Sequence, residues 1–467
     1  MSIRALSSHP RDHVATIVVA ALSSAFGVVM LEASGIIATA VGTDEVVSGS
    51  TTVRLVLSVV TSVFTLIAVY VGAIVTANTF ATIIAGRTRQ IALLRLIGAQ
   101  AGRLRRAVAT EGLLVGVMGA IVGLVIGAAI AAAAIASGTS AGWLPSADYV
   151  VMEPLILLPV AVVAVTTWAS AWVGSRAVTT VTPLAAVGAA VDARLESARR
   201  GVARNIAAIT LAGAGFALLA LGVVIGLSTP IGLLVSFFGG VLSFTGIVLG
   251  AHLVMPPVLR LVGRAFGPRP AARLAAENAV RFPERSSRAT IGLVIGVTLV
   301  TMFAVAMASY RAMILSSIDD PTMARAVDQS LTVTTAIFAG LVGFSAIIAA
   351  VGMINNLSLS VLQRTRELGL LRALGFTSRQ VRGMILTESA QMTVAAVLLG
   401  LVLGVFYGWA AAQSILGSLT HGIIAPALPW PIIAIVVIGG AALSLAASVA
   451  PSRRATTVSP VVALTVQ

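Results

Sequence analysis

Ten stretches of this 467-residue chain are apolar for about twenty residues or more: 14–41, 55–85, 107–136, 154–175, 205–227, 230–256, 289–314, 330–361, 383–414 and 431–451. Crossing about 30 Å of hydrocarbon takes roughly 20 helical residues. Inside a bilayer the backbone must satisfy its own hydrogen bonds, so each stretch reads as a helix. Composition agrees: 58% of residues are hydrophobic and 10% charged, where a soluble domain carries about 25% charged residues. A water-soluble globule is excluded. The expected fold is an all-α integral membrane protein with ten transmembrane helices, the first retained rather than cleaved as a signal peptide.

All 30 of the Lys and Arg residues are arginine, against 16 acids, for a net charge of +14. Only Arg54, Arg311 and Arg325 fall outside one alternating set of segments: the start of the chain with Arg4 and Arg11, the connections 87–106, 176–204, 257–288 and 364–382, and the tail at Arg453 and Arg454. The opposite connections carry Asp44, Glu45, Asp148, Glu153, Asp319, Asp320 and Asp328. The positive-inside rule then places both termini in the cytoplasm and makes nucleic acid an unneeded partner. The far-side connections are too short to hold a folded domain. Without cysteine there is neither a disulfide framework nor a thiol nucleophile.

The chain is duplicated. RTRQIALLRLIGA from Arg87 and RTRELGLLRALGF from Arg364 agree at seven of thirteen positions, at an offset of 277. The same offset pairs Arg105 with Arg382, Thr110 with Thr387, Glu111 with Glu388, Gly123 with Gly400, Gly127 with Gly404 and Pro154 with Pro431. It also pairs SRAVTTVTPLAAV from Ser175 with SRRATTVSPVVAL from Ser452. HPRDHVAT at His9 resembles FPERSSRAT at Phe282, extending the repeat to the first helix of each half. The expected organisation is a four-helix repeat over 1–186, a cytoplasmic linker over 187–204, a two-helix insert over 205–256, a second linker over 257–288 and a second four-helix repeat over 289–467. Four spans per repeat give both halves the same topology, unlike the inverted repeats of many secondary transporters.

Within 87–99 and 364–376, Ile91, Leu94, Leu368 and Leu371 alternate at helical spacing with Arg87, Arg89, Arg95, Arg364, Arg366, Glu367 and Arg372. Each segment reads as an amphipathic helix with one basic face. Any basic amphipathic sequence would anchor a loop, so keeping residue type and spacing twice points to a cytoplasmic partner docked at two equivalent places. Glu111 and Glu388 follow Arg105 and Arg382 and are expected in ion pairs, structural or coupling. Gly112, Gly116, Gly119, Gly123 and Gly127, with Gly400, Gly404 and Gly408, offer faces for close helix packing. Arg54 and Arg311 can snorkel to the surface, whereas Glu32 is the candidate for a substrate-facing or arginine-paired group. The 184–204 and 257–288 segments read as amphipathic or interfacial connectors. The four histidines lack metal-ligand spacing, and a chain without lysine cannot complete a GxxxxGK[ST] loop. No catalytic or metal-binding constellation is expected.

The repeated RTRQIALLRLIGA and RTRELGLLRALGF blocks, with TVTPLAAV and TVSPVVAL after the fourth span, resemble FtsX-like permeases, the type VII ABC transporter permeases of the MacB, LolC/LolE and Bce types. The resemblance implies a permease of the bacterial cytoplasmic membrane. Its paired cytoplasmic segments would dock two copies of a separate ATP-binding subunit, which holds ATP and Mg and performs the hydrolysis. The permease itself would be no enzyme and hold no cofactor. The 4+2+4 arrangement is similar to Bce-type members. Family members carry a large extracellular domain after the first or seventh span, but the connections at 42–53 and 315–328 hold none. A substrate reached from the bilayer fits that departure, so the expectation is export of an amphipathic or lipid-like molecule. The alternative is ATP-driven signalling or mechanotransmission toward an extracellular partner or sensor kinase.

Overall fold

The computed structural model describes residues 10–42, 100–142, 154–175, 193–265, 283–325, 375–420 and 422–442, and positions 66, 70, 74, 144, 145, 147–149, 277, 327, 328, 331, 332 and 335. Every regular element among the described residues is helical. Helices α1 (Pro10–Gly42), α2 (Ala101–Ser140) and α3 (Leu157–Gly174), the last preceded by a 3-10 turn at Pro154–Ile156, belong to a first compact unit, Met1–Val191. Helices α4 (Ala193–Gly226), α5 (Gly232–Leu249), α6 (Ala251–Ala265), α7 (Pro283–Ser316), α8 (Ser378–Thr420) and α9 (Trp430–Ala442) belong to a second, Asp192–Gln467.

Six helices among the described residues are long and apolar enough to cross a bilayer: Ala101–Ser140, Pro154–Val173, Gly201–Gly226, Gly232–Leu249, Thr290–Ser316 and Arg379–Thr420. The chain is a multi-pass membrane protein. Most of the expected spans at 55–85 and 330–361 lies outside the described residues. Two boundaries differ from the sequence expectation. Residues from Ala193 onward form the first turns of α4 rather than a separate amphipathic helix, because no proline interrupts Ala193–Gly226. The expected span at 230–256 divides at Gly250, and helix resumes through Pro256 and Pro257 to Ala265. Each proline removes a helical backbone donor, so this stretch lacks two of the bonds that a regular helix makes.

In the first unit α1 and α2 run parallel, joined by small residues. A Cβ on Gly119 would lie 2.5 Å from the Ala20 Cβ, and one on Gly127 would lie 2.8 Å from the Val28 Cβ. Between them, Gly123 meets the Ala21 carbonyl and Ser24, and Ser24 Oγ donates to the Ala120 carbonyl at 2.9 Å. Such seams let backbones approach where lipid offers no competing hydrophobic drive. Helix α3 packs antiparallel, with Gly116 against Thr167 and Val163 beside Ala120. This register sets Pro154 level with the stretch of α2 just after Gly127, so α2 continues for about three turns past the start of α3. Leu113, Leu114, Val117, Met118, Ile121, Val122, Val125, Ile126 and Ile130 are exposed on α2, and large exposed apolar side chains stop there. They form its exposed apolar side.

The second unit repeats the seam between α7 and α8. A Cβ on Gly400 would meet Val297 at 2.7 Å and one on Gly404 would meet Thr301 at 2.5 Å. Helices α4 and α5 form a hairpin at nearly backbone contact, Gly222 facing Ser236 and Gly239 facing Leu219. This hairpin packs on α8: Phe216 stacks on Tyr407 with centroids 6.4 Å apart, and Gly226 abuts Ser414. Tyr407 Oη and Ser243 Oγ share a hydrogen bond of 2.8 Å, and Ser236 Oγ lies 2.5 Å from Ser414 Oγ.

Candidate functional site

Arg87, Arg89, Ile91, Leu94, Arg95, Arg364, Arg366, Glu367, Leu368, Leu371 and Arg372 lie outside the described residues. The exits of their two segments are described, and they differ. Gly375 has φ +98°, a left-handed conformation suited to glycine. Immediately after it, the Thr377 N–H and Oγ1–H both donate to Gln380 Oε1 at 2.9 Å, and the Gln380 N–H donates back to Thr377 Oγ1 at 3.3 Å. This is a reciprocal cap at the start of α8, and Phe376 packs against Val381, Met384 and Ile385 to fix the entry angle. At the matching exit in the first unit, Gln100 provides the cap position of α2 without a side-chain bond. The start of α8 therefore carries a reciprocal side-chain cap that the start of α2 lacks.

Of the four expected ion-pair residues, Arg105 is half-buried and its guanidinium lies 4.0 Å from the centroid of the Trp172 ring. This cation–π contact ties the start of α2 to the end of α3. At the position that the repeat pairs with Trp172 the sequence has Val449, so it supplies no matching ring for Arg382. Glu111 is half-buried and Arg382 exposed, whereas Glu388 is buried. Equivalent carboxylates thus occupy different environments.

Glu32 is buried on α1. The stripe Ala20, Ser24 and Val28 meets Gly119, Gly123 and Gly127, and one further helical turn sets Glu32 opposite the buried Ala131. Gly27 lies against Pro159, so Glu32 stands level with Pro154, where the apolar run of α3 begins. The second unit keeps the register: Ala21 and Ser24 at Gly123 correspond to Val294 and Val297 at Gly400, with an offset of 273. The position equivalent to Glu32 is Val305, which packs near Gly408 with no carboxylate.

Other polar contacts were not among the sequence candidates. Trp409 Nε1 donates to the Ile424 carbonyl at 2.6 Å, Gln413 Nε2 donates to the Gly422 carbonyl at 2.8 Å, and the Ala427 N–H donates to Ser309 Oγ at 3.1 Å. These bonds strap residues 422–430 onto α7 and α8. Arg311 pairs with Asp328 through two bonds of 2.6 and 2.8 Å. The Arg311 bond holds the Asp328 carboxyl below its ordinary pKa, and hydrogen bonds from Thr322 do the same for Asp320. The strap left a faint sequence signal in Gln413, an amide within an apolar run. Arg311 and Asp328 sit too far apart in sequence for helical spacing to pair them.

Comparison with known proteins bears on these paired seams. A family model described as FtsX-like permease C-terminal matches residues 62–182 and again 339–460, together just over half of the chain. The two matches begin at the same offset that separates the repeated arginine-rich blocks. The chain is 32% identical over 106 residues to the uncharacterized ABC transporter permease YknZ of Bacillus subtilis, covering 23% of this chain and 25% of that protein. It is 31% identical over 139 residues to the ABC transporter permease YtrF of the same organism, 27% of this chain and 31% of the relative. To the macrolide export ATP-binding/permease protein MacB of Bdellovibrio bacteriovorus it is 29% identical over 98 residues, 19% of this chain and 15% of the relative. The chain thus spans less than a third of each of these relatives.

Proposed function

Because the chain belongs to the FtsX-like permease family, whose relatives here are ABC transporter permeases, we propose that it is the membrane subunit of an ABC exporter. It moves an amphipathic or lipid-like substrate outward. ATP and Mg are held and ATP is hydrolysed on two copies of a separate ATP-binding subunit, not on this chain. The observation that carries the reading is the duplicated seam: two parallel helix pairs in one register, the second helix of each following the same basic amphipathic segment. Arg87, Arg89, Ile91, Leu94 and Arg95, with Arg364, Arg366, Glu367, Leu368, Leu371 and Arg372, form the two docking segments. Closure of the ATPase pair draws these segments together, and α2 and α8 carry the movement into the bilayer.

In this reading the chain lies in the cytoplasmic membrane with ten spans arranged 4+2+4 and both termini inside, an orientation that the arginine-rich connections support. Glu32, near the far edge of the bilayer, lines the exit of the path. Glu111, Arg105, Glu388 and Arg382 hold or exchange ionic contacts at the cytoplasmic entrance. A second reading, mechanotransmission to an extracellular partner, is favoured by the length of α2 beyond the start of α3.

Co-purification from native membranes tests the assignment. Two ATP-binding subunits per chain are expected, and the paired substitutions Arg95→Glu and Arg372→Glu abolish their recovery while leaving the membrane fold intact. Undiminished recovery after the double charge reversal overturns the docking assignment. Recovery of the wild-type chain alone, unaffected by ATP, overturns the ABC reading.

A further inference from the structure

Helix α6 follows the apolar α5 after Gly250 and has two opposed faces. Ala251, Met255, Leu259 and Val262 are buried at helical spacing, and α6 packs on α7 and α8. On the opposite side Leu253 is 41% exposed, Leu261 is 66% exposed, and Pro257, Arg260 and Arg264 are also exposed. That face changes character along its axis: Leu253 and Pro257 come first, then Arg260, Leu261 and Arg264 over the last two turns. The helix contains no acidic residue.

The hairpin register sets the site within the unit. Helix α5 runs antiparallel to α8, with Ser236 at Ser414 and Ser243 at Tyr407. Continuing in that direction, α6 ends at the same end of the unit as the first turn of α8, where Arg379 and Arg382 are exposed. Four exposed arginines therefore gather at the end remote from the 422–430 strap.

We propose that the exposed face of α6 binds the headgroup of an anionic phospholipid through Arg260 and Arg264, with Leu253 and Leu261 against its acyl chains. Arginines beside an apolar surface at a membrane edge provide charge attraction and hydrophobic contact to one molecule. A soluble acidic segment or a free phosphate would leave Leu253 and Leu261 unused. Which leaflet supplies the lipid rests on the orientation proposed above; the site itself rests on α6 and α8 alone.

The test uses the full-length protein in nanodiscs of phosphatidylcholine alone or mixed with phosphatidylglycerol, with retained lipids counted by native mass spectrometry after delipidation. Wild type retains phosphatidylglycerol in preference to phosphatidylcholine. The double substitution Arg260→Gln and Arg264→Gln reduces that preference about twenty-five-fold, taking roughly a fivefold electrostatic gain from each arginine near a charged surface. Arg260→Lys with Arg264→Lys keeps the charge and restores most of the preference. Arg311→Gln, which removes an arginine away from α6, leaves it unchanged. Equal retention of the two lipids by wild type, or equal preference in wild type and the Gln variant, overturns the proposal. Loss of ATPase recovery in the Gln variant with lipid preference unchanged also overturns it and assigns the face to protein docking. The Arg95→Glu and Arg372→Glu result is read separately, so failure of either reading is recognised without the other.

Discussion

The α1–α2 and α7–α8 pairs hold the same backbone register but wear different coats. Gly123 and Gly127 receive Ser24 and Val28 just as Gly400 and Gly404 receive Val297 and Thr301. Outside the seam they diverge: Ile130 on α2 is 40% exposed, whereas its counterpart Tyr407 on α8 is 6% exposed beneath the α4–α5 hairpin. The close approach of two backbones tolerates little change, because a Cβ there meets the main chain or the first side-chain atoms of the facing helix. The outer faces meet either lipid or a neighbouring helix and are free to vary. Duplication preserved the seam between helices and altered what each pair carries on its back.

The largest effect should come from breaking the coat of only one pair. Tyr407→Ala removes the ring stacked by Phe216 and the bond to Ser243, and about 3–5 kcal/mol of stability should be lost in denaturant titrations. Ile130→Ala should change stability by only about 0.5 kcal/mol or less, as for an exposed site. Equal losses would show that α2 has a covering partner of its own.

Next come the seams. Gly123→Ala drives a methyl into the Ala21 carbonyl and should cost about 2–3 kcal/mol. In Gly400→Ala the obstacle is chiefly the Val297 side chain, and about 1 kcal/mol is expected in thermal unfolding of the purified protein. A reversed order would refute the view that the first seam is the tighter. Exchange of the divergent seam residues sharpens this further. Glu32→Val should cost about 1–3 kcal/mol by leaving the contacts of a buried carboxylate unmet, while Val305→Glu should cost several kcal/mol by burying a charge. If Glu32 lines the exit path, Glu32→Val also slows substrate efflux in proteoliposomes.

The smallest effect is one of pH. Asp320 and Asp328 have depressed pKa values from the Thr322 and Arg311 hydrogen bonds. Their contribution to local order is therefore present above the ordinary aspartate pKa of about 3.9 and is lost as pH falls through the lower folded values. The hydrogen-exchange protection of the Thr322 amide, relative to an unstructured peptide at the same pH, should hold constant from pH 7 to about pH 4 and decline below. A decline near neutral pH would assign that order to another group.

Particular residues show how much of this was legible beforehand. Gly119, Gly123, Gly127, Gly400, Gly404 and Gly408 were readable as packing seams, because small residues at four-residue spacing have few other uses in a bilayer. The register of the first helices was only partly readable, since His9 and Phe282 align with a one-residue ambiguity by Ala15 and Thr16. The contacts at Gly123 and Gly400 fix the offset at 273. The cap of α8 was present as Thr377 and Gln380 at the right spacing, yet a four-residue polar pattern is too common to single out without the turn at Gly375. The Trp409, Gln413 and Ser309 strap joins residues separated by as many as 118 positions, and no local period connects them.

The sequence by itself determined that the chain is helical and membrane-spanning, that it is a duplication, and which glycines draw helices together. These properties follow from apolar length and from periodicities that act within one helix or between repeats. Only the tertiary structure decided that the α4–α5 hairpin covers α8, that Glu388 is buried while Glu111 is half-exposed, and that α6 turns its arginines outward. Lipid and a neighbouring apolar helix present nearly the same solvent to a leucine or an isoleucine. Composition therefore records that a face is apolar, and only packing decides what covers it.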